Sequence, residues 1–292
     1  MFNLKPLNIV VASDNHYIIL LAALIKSIEA NIITDQKINI YIIEDNISEA
    51  SKKKLHQSVN QKIISLIWKR VNEVVPEGTK LQLGRDSHPL NIYTRLFIPY
   101  FMPEEVEKVL YLDVDMIVQK DISILFENDL SNYALAAVLD PRIITFDNSW
   151  SGVLNCKELE LTGATRYFNT GLLLMNPRKW RDQNVTEKII DCINNNKRFA
   201  NCPDQYGLNV VLANQWLELD PLWNHFCTIE HPAPYLIHFI QRKPIYKSYD
   251  NSHEFRRVFY YYLDQTKWKN FRPIDESKHY IRKVKNILNK FF

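Results

Sequence analysis

The sequence predicts an α/β fold with a mostly parallel central sheet and helices on both faces. Short β-branched runs alternate with segments of helical period through residues 8–68, the order that builds βαβ units. A continuous apolar run, Val109-Leu110-Tyr111-Leu112, has the character of a strand covered on both faces. With 46% hydrophobic residues, 24% charged and only 6 Gly in 292, the chain has the composition of a folded globular protein rather than a fibrous or disordered one.

The elements follow in order. Residues 8–12 read as a strand and 17–30 as a helix, from their periods of two and 3.6. Residues 38–43 read as a second strand, Ser48 as the N-cap of a helix running to about 59, and 63–68 as a third strand. Residues 74–89 mix Pro, Gly, Asp and Ser and read as a loop, followed by a helix over 92–101. The apolar run 109–112 is the central strand. Residues 133–139 and 168–175 are further strands, separated by a loop-like stretch, 141–166, with room for an acceptor. Helices are expected over 185–193 and 204–213, and a strand over 232–244 that leaves into a Pro-bounded loop. The tail, 279–292, is a short basic amphipathic helix: Ile281, Val284, Ile287, Leu288 and Phe291 share one face, and Arg282, Lys283, Lys285 and Lys290 decorate the rest. Such a helix either lies in a membrane interface or docks on the domain with a solvated basic face.

Composition removes several classes of function. The net charge is +3, and no Lys/Arg stripe interleaved with stacking aromatics runs through the chain, so nucleic acid is not an expected partner. Four cysteines, Cys156, Cys192, Cys202 and Cys227, lack metal-ligand spacing and read as reduced thiols of a cytoplasmic protein. The start runs directly into the first strand without a signal-like segment. The longest apolar run, 17–25, is far shorter than the roughly 20 residues that cross a bilayer. The aromatic content, 12%, suits either a carbohydrate site or large core side chains.

Asp113-Val114-Asp115 follows the central strand at its carboxyl end, where open α/β sheets bind their ligands. Two residues apart, the carboxylates share a face on a strand, and a turn can converge them. Two carboxylates in one place repel unless a cation joins them. Hard oxygen ligands suit Mg²⁺ or Mn²⁺, and a third ligand that is nitrogen favours Mn²⁺. The alternative is structural, a turn cap or a pairing with Lys or Arg. No phosphate-cradling Gly loop offers a second nucleotide site.

The sequence resembles the family 8 retaining glycosyltransferases, the group of bacterial lipopolysaccharide galactosyl- and glucosyltransferases and glycogenin. The residues carrying the resemblance are Ile9-Val10-Val11-Ala12-Ser13-Asp14-Asn15, Tyr93-Thr94-Arg95-Leu96, Lys108 through Asp115, Tyr167-Phe168-Asn169-Thr170-Gly171, Asp204-Gln205 and His238 through Pro244. The resemblance implies a GT-A fold, Rossmann-like, over residues 1–250 as the catalytic domain, with a small helical C-terminal extension over 251–292 ending in the basic tail. It implies a UDP-hexose donor, with Ala12, Asp14 and His16 at the uridine and ribose; Asp14 also suits the N-cap of the following helix. Arg95 would contact the donor, or else pair with Asp113 or Asp115. Asp113, Asp115 and His238 would hold Mn²⁺, or Mg²⁺, with Val114 between the aspartates also at the donor. Asn169, Asp204, Gln205 and Asp140 would surround the transferred sugar, Gln205 beneath its anomeric carbon.

Lys243 would steady the diphosphate. Here the chain departs from the family pattern His-x-x-Gly-x-x-Lys-Pro-Trp. His238 through Ile245 is one residue shorter, lacks the glycine and replaces the Trp, so the loop must differ in shape, and Arg242 becomes a second candidate for that task. The expected partners are a UDP-sugar and an oligosaccharide or lipid-linked glycan acceptor, with peripheral contact of 279–292 at the cytoplasmic face of the inner membrane. Three other readings stand beside this one: a self-glucosylating protein, a metal-dependent nucleotidyltransferase and a silent sugar-binding scaffold.

Overall fold

The computed structural model of the chain describes residues 5–77, 79 and 92–276. Strand β1 (Leu7–Asp14) leads into helix α1 (Ile18–Asn31), and β2 (Ile38–Asp45), α2 (Glu49–His56) and β3 (Ile64–Arg70) continue the alternation. β1 runs parallel to β2 and β2 to β3, so their carboxyl ends share one edge. Ser48 caps α2 by accepting the Ser51 backbone N–H, a donor that a helix start leaves open. That helix stops at His56, short of the expected 59, where the Ser58 hydroxyl takes up the Lys54 carbonyl.

After the one-turn helix α3 (Val71–Val74), the segment expected as a helix over 92–101 is broken in two. Thr94–Phe97 is a 3₁₀ turn, and α4 (Ile98–Phe101) is a single turn with Pro99 at its start. Proline has no N–H for an intrahelical bond and is at home only in a first turn, so a continuous helix through this point is not available.

Next come β4 (Val109–Leu112), β5 (Met116–Val118), β6 (Leu135–Leu139) and β7 (Phe168–Met175). Helices α5 (Pro177–Asp182), α6 (Val185–Asn195) and α7 (Pro203–Val211) follow, then three short strands, β8 (Leu217–Glu218), β9 (His225–Phe226) and β10 (Leu236–His238), and helix α8 (His253–Leu263). The main sheet has the order β3-β2-β1-β4-β7-β6-β8. β4 is central, parallel to β1 and antiparallel to β7. A second sheet, β5-β10-β9, was not expected from the sequence. The strand anticipated over 232–244 shrinks to three residues there. Pro232 and Pro234 precede it, and Gln241 takes a left-handed φ of 62° three residues after it, so the ladder cannot extend.

β1 shows why both faces are apolar. Ile9 and Val11 point into one core with α1 and with Phe255, Phe259, Tyr262 and Leu263 of α8. Val10 points into the other, with Tyr111, Leu96, Trp180, Ile189 and Leu208. A third, smaller cluster lies under the 141–166 loop, joining Ile143, Phe146 and Val153 to Tyr206 of α7. All four cysteines are free. Among the described residues no helix is long and apolar enough to cross a membrane, and the basic tail over 279–292 lies outside them.

Because Phe259 is buried against the α1 side of the sheet, Phe259→Ala is expected to cost about 3–5 kcal/mol of unfolding free energy, measured by urea denaturation. A loss below about 1 kcal/mol would mean that α8 is not part of this core.

Candidate active site

The chain turns at residues 113–115 between β4, in the main sheet, and β5, in the second. β10 pairs antiparallel with β5 so that His238 stands opposite Met116. Strand register therefore brings a histidine from far along the chain to the two aspartates. His238 Nε2 lies 3.4 Å from Asp115 Oδ1 and 4.0 Å from Asp113 Oδ2. One candidate ligand atom from each of the three residues lies within 4.8 Å of the others. Gly171 on β7 makes the approach possible, since a Cβ there would stand 2.6 Å from His238 Cε1 and 2.8 Å from the Met116 methyl. Two carboxylates and an imidazole nitrogen fit a divalent cation that accepts a mixed O/N shell, which Mn²⁺ does and Mg²⁺ does less readily.

The acidic charge is answered by three groups. Arg95 is buried; it donates through Nη1 to the Thr170 carbonyl and through Nη2 to Asp113 Oδ1 at 3.1 Å. Its Nε is 3.3 Å from Asp204 Oδ2 but out of line for a hydrogen bond, so that contact is an ion pair without a directed bond. Burial opposes the guanidinium charge, yet Asp113, Tyr111 and Asp204 together hold it above its usual range. The Tyr111 ring stacks beneath it at 4.6 Å, and the Tyr111 hydroxyl donates to Asp113 Oδ1. On the other side, Lys243 Nζ is 2.5 Å from Asp115 Oδ2 and donates to the Phe239 carbonyl. Burial would raise the Asp115 carboxyl, but Lys243 and His238 pull it well below the carboxylate range. Burial raises Asp204, with Arg95 opposing. Arg242, the second candidate for the diphosphate, turns outward to Asp250 at 2.6 Å.

The residues expected around the sugar form one hydrogen-bonded group. Gln205, in the first turn of α7, accepts through Oε1 from the Thr170 backbone N–H and hydroxyl, both at 3.2 Å. Asn169 donates to Asp140 Oδ2 at 3.1 Å and accepts the Gly171 N–H at 2.9 Å. Asp140 uses its other oxygen to cap the turn at Arg142 and Ile143. Asp14 Oδ1 accepts the backbone N–H groups of His16 and Tyr17 in the turn before α1; it is not the N-cap expected of it, since Tyr17 holds that position without a side-chain bond. His16 Nε2 contacts the Tyr246 hydroxyl at 2.8 Å. Ala12 sits on β1 one residue beyond the Val11–Leu112 pair, beside Asp113, and Val114 is half-buried in the turn.

Several residues that join this assembly carry no signal in the sequence. Tyr111 is hidden in an apolar run, although its place two residues before Asp113 puts both on one strand face. Tyr246 comes from a loop, and Asn224 from the end of a short 3₁₀ turn, Pro221–Asn224, and the sequence fixes the course of neither. Asn224 is 1% exposed and contacts both Asn169 and His238.

A sequence model of glycosyl transferase family 8 matches residues 8–285. The chain belongs to that family. This family 8 chain is 28% identical over 286 residues to General stress protein A of Bacillus subtilis, covering 90% of itself and 94% of that protein. It is also 28% identical over 269 residues to the glycosyltransferase GlyA of Streptococcus pneumoniae, covering 87% of itself but only 34% of GlyA. Among solved structures, the galactosyltransferase LgtC in complex with donor and acceptor sugar analogs superposes with a TM-score of 0.73 at 20% identity, over 89% of this chain and 96% of that one. That likeness shows the GT-A fold. The chain is a family 8 glycosyltransferase built on it.

Arg95→Met leaves Asp204 buried without its cation and is expected to cost about 3–5 kcal/mol in urea denaturation. Adding Asp204→Asn to that variant should restore part of the loss. Additive destabilisation by the two changes would show that the pair does not act as one unit.

Proposed function

We propose that the chain is a retaining hexosyltransferase that moves galactose or glucose from a UDP-sugar to a saccharide acceptor with the help of Mn²⁺. The observation that supports this best is the meeting of Asp113, Asp115 and His238 at the carboxyl edge of the sheet. When bound there, the cation would supply positive charge against the diphosphate, as metal ions do in phosphoryl and glycosyl transfer. The chain's own residues account for the rest. Lys243, already a point charge beside Asp115, is close enough to share the diphosphate. Arg95 fixes Asp204, leaving that carboxylate to orient sugar hydroxyls from a rigid position.

Gln205 is a carboxamide whose oxygen is occupied by Thr170, and it is a poor nucleophile beside a carboxylate. This disfavours a double displacement of the kind retaining hydrolases use. Attack on the same face, with the departing phosphate oxygen taking the acceptor proton, fits the residues better. The acceptor would lie over the 141–166 loop. Its small core holds it in shape, and it exposes Ile144, Trp150 and Leu154, faces that suit sugar rings. If the 279–292 tail touches a membrane, the acceptor is a lipid-linked glycan or a lipopolysaccharide core.

Incubation with a panel of UDP-sugars and Mn²⁺ should release UDP by slow donor hydrolysis, with UDP-galactose or UDP-glucose preferred. Asp113→Asn with Asp115→Asn should lower that rate by at least about 100-fold, on the scale of losing a group that stabilises leaving-group charge. Wild-type rates from the double variant in chelator would end the metal reading. Release of pyrophosphate from a nucleoside triphosphate, or a mass gain of the protein without acceptor, would redirect the assignment.

A further inference from the structure

The metal reading leaves open why His238 would present Nε2 rather than Nδ1 to the aspartates. The hydrogen bonds answer this without any assumption about the ring. The Gly171 backbone N–H can only donate, and it donates to Asn169 Oδ1 at 2.9 Å. That fixes the Asn169 amide, and its Nδ2 then meets Asp140 Oδ2, an acceptor, as it should. The Asn224 side chain approaches Asn169 Oδ1 at 2.8 Å and must do so with its Nδ2. Its oxygen is therefore turned to His238, with Oδ1 2.8 Å from Nδ1. An amide oxygen accepts only, so Nδ1 carries the hydrogen. In the neutral ring the free electron pair then lies on Nε2, the atom facing Asp115 and Asp113.

All three links are buried, with Asn224 1%, His238 5% and Asn169 9% exposed, so water does not compete for them. The ring is also fixed sideways. Phe226 meets it edge-on at 5.6 Å, and Gly171 leaves room on the other side.

We propose that Asn224 is a positioning residue for the candidate metal centre: it holds His238 in the Nδ1–H tautomer with Nε2 free, and through Asn169 it ties that centre to the residues around the sugar. This rests on the metal reading of Asp113, Asp115 and His238. Metal-bound histidines generally donate their second ring N–H to such a partner, and loss of the partner weakens binding by about 10- to 100-fold. Here the partner is itself oriented by Asn169, which the Gly171 backbone N–H locks, so the tautomer is set by the fold before any ligand arrives.

Two measurements on the full chain test this, and neither uses catalysis. Two-bond ¹H–¹⁵N spectra of the metal-free protein, with His238 assigned through a His238→Gln variant, should show Nδ1–H in the wild type. They should show loss of that form in Asn224→Ala. Titration with Mn²⁺, read by electron paramagnetic resonance, should show affinity about 10- to 100-fold weaker for Asn224→Ala. In a His238→Ala background, Asn224→Ala should change the affinity no further, and thermal melts identify any variant that fails to fold.

An Nε2–H ring in the wild type overturns the proposal. So does an equal loss of affinity from Asn224→Ala with and without His238. If the wild type binds no Mn²⁺ but shows Nδ1–H that depends on Asn224, the metal reading fails and the positioning of His238 stands.

Discussion

Two carboxylates at the end of a buried strand repel each other, and much of the structure around residues 113–115 answers that repulsion. Each aspartate is neutralised from a different direction. Arg95 and Tyr111 take one oxygen of Asp113, from the face of the main sheet. Lys243 takes one oxygen of Asp115, from the loop after β10. What remains is one oxygen of each aspartate, turned toward His238. The geometry thus sorts the four carboxylate oxygens into two that are used by the fold and two that face a common space. A divalent cation placed there would meet the two carboxylate oxygens that the fold leaves unused, and opposite charge at close range favours their ionised form.

This constraint also explains the second sheet. β5 and β10 are only three residues each, too short to add much stability by themselves. Their pairing places His238 opposite Met116, one residue beyond Asp115, and Phe239 N–H on the Asp115 carbonyl. The small sheet joins a late segment of the chain, β10, to the end of the central strand. The chain of hydrogen bonds from Asp140 through Asn169 and Asn224 to His238 runs along the same seam, so Asp140 and Asn169 share one frame with the Asp113, Asp115 and His238 cluster.

Much of this was legible in the sequence, and the remainder was hidden for identifiable reasons. The βαβαβ half follows from local periodicity, and the capping by Ser48 from short-range side-chain chemistry, whereas the expected cap by Asp14 is displaced to the turn before α1. Asp113 and Asp115 stood out because a fully apolar strand delivers them to the binding edge. The second sheet was missed because strands of two or three residues fall below any period that a window can detect. The helix over 92–101 looked continuous by its apolar spacing, and Pro99 broke it. His238 was visible only through the family resemblance, and Asn224 not at all, since its role depends on contacts 14 and 55 residues away. The Arg95 pairing was half-read: Asp113 was foreseen, Asp204 was not, because α7 reaches the site only through tertiary packing.

Where a cation goes decides the role of Asp113, Asp115 and His238. Crystals grown with UDP and Mn²⁺, measured at the manganese absorption edge, give an anomalous difference map that answers this directly. One strong peak is expected, bounded by an oxygen of Asp113, an oxygen of Asp115 and Nε2 of His238. UDP bound in the same crystals with no peak at that position, or with a peak held by other residues, would contradict it.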